Sequence, residues 1–333
     1  SNMVGQAEVS HLEMLLNDTE THDEIAPLWN EETESWRERD DVYCRFDQHA
    51  SGHKKLGKLV PGFGSLYAEG TKFGPELGFG NVMGDSVECR CEEDSRAKIL
   101  LLKTAEGGKC LAIDFRPPSS GMPTVGEYPS HKGKDNLYNA TGPGPFNEAS
   151  YGHYYRLMLS DLSDTLSDLP RIIPGYTSEQ GYNIEGVVWF QGWNDMIKEN
   201  KVHEYAYNLA NFIRDVRKDL GIPSLPFIIG ELGQNGLHPE NDKIQKMRKA
   251  QESVANLDDL RNNTLFVRTA QYVTDEEPTF NGDYHYNGRA DTMYSIGRAF
   301  GDGMLQLLSA KEESGHRMLR SSAESTQSSF WRF

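Results

Sequence analysis

No apolar run in this 333-residue chain approaches the roughly 20 residues that a membrane-crossing helix requires, so no helical span is expected. Runs of positive charge are missing too. With 34 basic against 50 acidic side chains the net charge is −16, and there is no sign of the positive face that nucleic-acid phosphates demand. The same balance disfavours a polyanion as the dominant ligand. Cysteine is scarce. Cys44, Cys89, Cys91 and Cys110 include no CxxC, and Cys89-x-Cys91 is too tight for a usual zinc site, so no metal is expected. Disulfides stay open, because connectivity cannot be read from spacing. No internal repeat or Pro/Ser-rich linker divides the chain, which favours one large domain with a substantial core.

The apolar segments that are present alternate in kind. Residues 98–104, 186–190, 226–230 and 264–268 are short apolar runs bounded by polar or glycine turns, the pattern of strands buried on both faces. Between them, 151–169, 202–220 and 241–257 carry helical periodicity. In the first, Tyr155, Leu157, Met158, Leu162 and Leu166 lie near one face, and Tyr154 and Tyr155 read as core residues. A further amphipathic helix runs through Met293, Ile296, Ala299, Phe300 and Met304. Strand, helix, strand with short loops predicts an α/β protein: a three-layer α/β/α sandwich around a central, mostly parallel sheet. Residues 122–148 form a long Gly/Pro-rich loop with Pro123, Pro129, Pro143 and Pro145. It reads equally as a wall of a cleft or as a plain surface excursion.

Four segments carry chemistry. The run from Val187 to Phe190 leads straight into Gln191-Gly192-Trp193-Asn194-Asp195, and in an open α/β sheet side chains at a strand's carboxyl end face the ligand crevice. Asn194 is there a candidate oxyanion donor. Asp283-Tyr284-His285 precedes the last helix and offers an acid and a base. The apolar run ending near Thr104 opens into Glu106-Gly107-Gly108-Lys109, a loop able to present bare backbone amides. Ser1 heads Ser1-Asn2-Met3-Val4-Gly5-Gln6 and supplies a nucleophile in a workable chain order.

Together these segments resemble the four blocks of an SGNH hydrolase, and more narrowly the sialate O-acetylesterase and acetyl-xylan esterase branch (carbohydrate esterase family six), whose first block usually reads GQSNMxG. Further matching segments are Val60-Pro61-Gly62-Phe63-Gly64, Phe73-Gly74-Pro75-Glu76-Leu77-Gly78-Phe79-Gly80, Asp114-Phe115-Arg116-Pro117-Pro118-Ser119-Ser120 and Ile229-Gly230-Glu231-Leu232-Gly233. The resemblance covers residues 1–308, leaving 309–333 as a polar C-terminal tail. It implies an SGNH/flavodoxin-like fold and a serine esterase that removes O-acetyl groups from a sialic acid or xylan type of carbohydrate through an acyl-enzyme. Ser1, His285 and Asp283 would be catalytic, with Gly107, Gly108 and Asn194 as the oxyanion hole. Serine acyl transfer needs no cofactor. The partner would be a small-molecule or oligosaccharide acetyl ester, with no nucleic acid and no membrane span, and the resemblance carries a secreted or periplasmic location. Sequon-like triplets at Asn17, Asn139 and Asn262 matter only in a eukaryotic secretory route.

The chain departs from the family in three places. The family's serine follows an inner strand and a Gly-Gln pair, whereas this chain begins at the serine, so the sheet's first strand is expected to be missing from it. As written, Ser1 would also bear an α-amino group. The family's acid and base often read DxxH, whereas Asp283 and His285 are two apart; Asp275, Glu276 and Glu277 are the alternative orienting acids. Glu106 stands where relatives often carry a large aromatic, and an acid there could reshape specificity. Around the crevice, Gln191, Trp193 and Arg116 are candidate sugar contacts. Arg116 could meet a substrate carboxylate, or tie Asp114 or a loop carbonyl. Two other functions fit the same pattern. An SGNH lipase or thioesterase would need an apolar cleft, which the mean hydropathy of −0.63 disfavours. A catalytically weakened carbohydrate-binding protein would keep the fold without turnover.

Overall fold

Short apolar runs become strands here because each finds helices on both sides. The computed structural model describes residues 2–87, 97–121, 123, 151–274, 280 and 285–328, with side chains as far as 313. Its strands are β1 (Ala7–Glu8), β2 (Trp29–Asn30), β3 (Ser35–Trp36), β4 (Val42–Gln48), β5 (His53–Lys58), β6 (Lys72–Phe73), β7 (Ile99–Lys103), β8 (Val187–Trp189), β9 (Phe227–Gly230) and β10 (Thr264–Val267). Its helices are α1 (Val9–Leu16), α2 (His22–Ile25), α3 (Glu76–Ser86), α4 (His153–Ser167), α5 (Leu169–Ile172), α6 (Trp193–Met196), α7 (Glu199–Asp219), α8 (Asp242–Ala255) and α9 (Ala290–Ser328). The four strands and the helices expected from periodicity are present within a few residues. The last helix runs on into the stretch read as a polar tail, where Lys311, Glu312 and Glu313 are exposed good helix formers.

The side-chain alternation of β9 shows the layering. Phe227 and Ile229 face a cluster built on α4, α7 and α8, while Ile228 between them faces a cluster built on α1, α3 and α9. The flanking strands follow suit: Val187 and Trp189 pack with the first cluster, Val188 and Phe190 with the second. Val42, Cys44 and Phe46 of β4 join the α1/α3/α9 cluster, so one helix layer covers both halves of the molecule. The fold is thus the expected α/β/α arrangement. Its sheet differs from expectation in being split. β8 and β10 flank β9 in a parallel sheet, whereas β7 pairs parallel and β5 antiparallel with β4. β7 and β8 are therefore edges, and Ile99, Leu100, Leu101, Val187 and Val188 on them are only partly buried.

Two close approaches bring the chain ends to the strand tips. α3 and α9 cross at glycines; a Cβ on Gly297 would lie 3.0 Å from the Cα of Gly78. The short ribbon of β1 and β6 carries the N-terminal segment, and there Gly5 has φ +73° and runs so close to the next segment that a Cβ would sit 2.6 Å from both Gly74 N and Phe73 O. The long loop singled out in the sequence, residue 122 and 124–150, falls outside the described residues apart from Pro123, as do Cys89 and Cys91. Cys44 and Cys110 are free and buried.

Candidate active site

Beyond β7 the chain turns through the Glu106-Gly107-Gly108 loop, and carboxylates hold both limbs of it. Glu106 is buried. It accepts hydrogen bonds from Gln48 Nε2 (3.3 Å), Ala50 N (2.9 Å) and Gly107 N (3.1 Å). Glu106, the acid that could reshape specificity, is thus anchored by three donors, and one of them is the Gly107 amide expected in the oxyanion hole. Burial explains this, since a carboxylate out of water draws in the nearest donors. Gly108 stands exposed at the loop crest with φ +72° and open space where a Cβ would be. On the far limb Asp195, fully buried, accepts Leu111 N (2.8 Å), Ala112 N (2.9 Å) and Gln191 Nε2 (2.7 Å). Burial raises its pKa while the nearby Lys201 charge and these bonds oppose the rise.

Three residues expected to face substrate behave differently from one another. Gln191 is turned inward: Nε2 also donates to Lys109 O (3.2 Å), and Tyr205 Oη donates to its carbonyl (2.7 Å). Arg116 is also inward, ion-paired with Glu204 (3.2 Å) and donating to the carbonyls of Ala112, Ser120 and Gly121. A guanidinium with this many internal acceptors ties the loop. Trp193 packs on the α7/α8 cluster and keeps part of its surface exposed. Asn194, in the first turn of α6, gives one amide hydrogen to Lys109 O at a long 3.4 Å, which leaves the second for another acceptor.

The N-terminal block is held by a buried charge that sequence reading passed over. Lys103, the last residue of β7, pairs with Glu76 at 2.9 Å, donates to Val4 O (3.2 Å) and Phe63 O (2.5 Å), and lies over the Phe46 ring. Glu76 in turn accepts Gly74 N at 2.7 Å. One ammonium thus gathers the segments after Ser1, around Phe63 and around Gly74. The signal for it was a lysine closing the apolar run Ile99-Leu100-Leu101-Leu102. Asn2 is buried beside Ser1, and its Nδ2 has no hydrogen-bond partner. Ser1 itself, like Asp283, Asp275, Glu276 and Glu277, lies outside the described residues.

His285 opens a turn in which it, Tyr286 and Asn287 have φ of 49°, 60° and 58°. Three successive non-glycine residues in the left-handed region are strained, and such strain persists only where surroundings impose it. Tyr286 supplies the imposition. Its buried hydroxyl accepts Gly233 N (3.1 Å) and pairs with Thr269 Oγ1 (3.3 Å), while Glu231 accepts both Thr269 N and Ala270 N. Burial above all, then the positive charge at the amino end of the chain and last that of Lys72, lowers the His285 pKa to about 4, so the imidazole is neutral at pH 7. A cavity of about 480 Å³ lies behind this knot, lined in part by Glu231, Arg248 and Arg268, and none of the described candidate residues lines it.

Each block touches the next. Asp195 joins the strand-tip turn to the glycine loop, and Lys103 joins the strand before that loop to the N-terminal block. β1 packs on the His285 turn, and His11 Nδ1 accepts Ala290 N at 3.0 Å. The Phe190 ring, one residue before Gln191, lies 5.7 Å from that of Tyr286.

A probable carbohydrate esterase of Arabidopsis thaliana is 34% identical over 71 residues, 21% of this chain, and the match spans 25% of that protein's length. The X-ray structure of that Arabidopsis protein aligns with a TM-score of 0.51 at 16% identity, covering 83% of this chain and 90% of its own, which shows the shared fold. The structure of a carbohydrate acetylesterase from Xanthomonas citri aligns with a TM-score of 0.49 at 13% identity over 92% of this chain and 55% of that one. Residues 1–306 match the family described as SASA, carbohydrate esterase, sialic acid-specific acetylesterase, and over so much of its length the chain belongs to that carbohydrate esterase family.

Proposed function

We propose that this esterase-family chain removes O-acetyl groups from a carbohydrate, with Ser1 as nucleophile and His285 as general base. What carries the reading is the meeting of the four blocks through Asp195, Lys103, Tyr286 and the β1 ribbon. Ser1 Oγ attacks the acetyl carbonyl as His285 takes its proton; the alkoxide of the sugar leaves, receiving that proton, and water releases acetate from the acyl-serine. Asp283 is the proposed orienting acid. Asn194, with its uncommitted amide hydrogen, and the Gly108 amide are the proposed oxyanion donors; Gly107 is the weaker member because Glu106 already accepts its N–H. The guanidinium of Arg116 is engaged internally and is not offered to a sialic acid carboxylate, which supports a neutral acetylated sugar of the xylan type.

A 4-nitrophenyl phosphonate ester tests the nucleophile, since it phosphonylates an activated serine in place of acylating it. Peptide mass spectrometry is expected to find the adduct on Ser1. The base must be unprotonated, and a pKa near 4 leaves it so at all higher pH values, so the labelling rate should hold between pH 7 and 5 and fall as pH drops through about 4. Labelling elsewhere contradicts the assignment; a limb near pH 6.5 would mean a less desolvated imidazole.

A further inference from the structure

We propose that Tyr67, backed by His53, is the platform on which the sugar ring of the substrate docks, an inference that rests on the esterase reading above. Tyr67 is 59% exposed, the most exposed large aromatic among the described residues. Yet the turn that carries it is fixed from both sides of the candidate site. Ser65 N donates to Gly5 O at 3.0 Å, four residues from the proposed nucleophile. Leu66 N donates to Gln48 Oε1 at 2.9 Å, and the Nε2 of the same Gln48 donates to Glu106, the anchor of the glycine loop. Tyr67 therefore follows directly on a short segment bonded to the N-terminal block and linked, through Gln48, to the loop proposed to hold the oxyanion.

The ring is also held. His53, across on β5, meets it edge to face with centroids 5.7 Å apart and planes at 74°. An exposed aromatic that already packs on a neighbouring ring has less freedom to lose on contact, and the apolar C–H face of a pyranose supplies the complementary surface. The other large exposed tyrosines lack this setting. Tyr182 precedes β8 and so lies toward the amino end of that strand, and Tyr207 sits on α7, within the layer on the other face of the sheet from α3 and α9. Neither is tied to a block of the candidate site.

The test uses the full chain, O-acetylated xylotriose as the sugar ester and ethyl acetate as an ester without a ring. For Tyr67→Ala the ratio of kcat/KM for the first over the second should fall roughly tenfold through KM, and Tyr67→Phe or Tyr67→Trp, which keep a face, should restore it. Binding of unacetylated xylotriose, followed by saturation-transfer NMR, should weaken in Tyr67→Ala to a similar extent. An unchanged ratio, or failure of the wild-type chain to bind xylotriose, overturns the platform. If xylotriose binds through Tyr67 but no ester is turned over, the esterase reading fails and the platform stands.

Discussion

Replacing His285 by Asn is expected to lower kcat/KM for 4-nitrophenyl acetate by about 1,000-fold or more while leaving the unfolding midpoint close to that of the parent. The loss of activity follows from its proposed role: without an acceptor for the serine proton, the oxyanion donors and binding contacts alone remain. The stability follows from the backbone. At φ 49° an asparagine is among the few residues that tolerate the left-handed region, whereas Ala or Leu there would add strain to strain. Asn also spares the fold a buried imidazole whose charged form burial already disfavours. Activity within tenfold of the parent would remove His285 from the mechanism. A collapse of stability with lost activity would mean that the ring acts mainly as a packing element.

Lys103→Met is the variant with the largest expected effect on stability, a loss of about 3–5 kcal/mol by chemical denaturation. The ammonium is almost wholly buried, and its removal strands the Glu76 carboxylate and leaves the carbonyls of Val4 and Phe63 without their donor. Against a total stability of roughly 5–15 kcal/mol this is a severe change. Adding Glu76→Gln should return a good part of it, because a neutral amide is far less costly to bury unpaired than a carboxylate. Gly74 N would still find an acceptor in the glutamine oxygen. The double variant is expected to stay slow in ester hydrolysis even so, since the tether on Val4 would still be gone. A single variant within 1 kcal/mol of the parent, a difference well below the range for breaking a buried pair, would show that the three segments hold together without the charge.

How much of this was legible from sequence depends on whether the signal is local. β7 to β10 are runs of apolar residues, and α7 and α8 have a clear apolar stripe, so periodicity finds them. β4 escaped it, because Arg45, Asp47 and Gln48 interrupt the run, although Asp47 and Gln48 are buried and Gln48 links the glycine loop to the Tyr67 turn. The order of the four blocks named the candidate segments; the direction of their side chains could not be read. Gln191 and Arg116 were legible as polar groups near a crevice, yet their side chains are held inward by Lys109 O, 82 residues away from Gln191, together with the nearer Asp195, and by Glu204, 88 residues away from Arg116. Lys103 and Glu76 are 27 residues apart, and nothing in either neighbourhood names the other. Tertiary partners of this kind decide between anchoring and catalysis, and they lie beyond any sequence window.

The central claim is that Ser1 attacks a sugar acetate. The most direct measurement is acetate release from O-acetylated xylotriose by the parent chain and by Ser1→Ala, at equal concentration and pH 7. The account predicts release by the parent and a fall of at least about 1,000-fold in the variant. Equal rates from the two would contradict it.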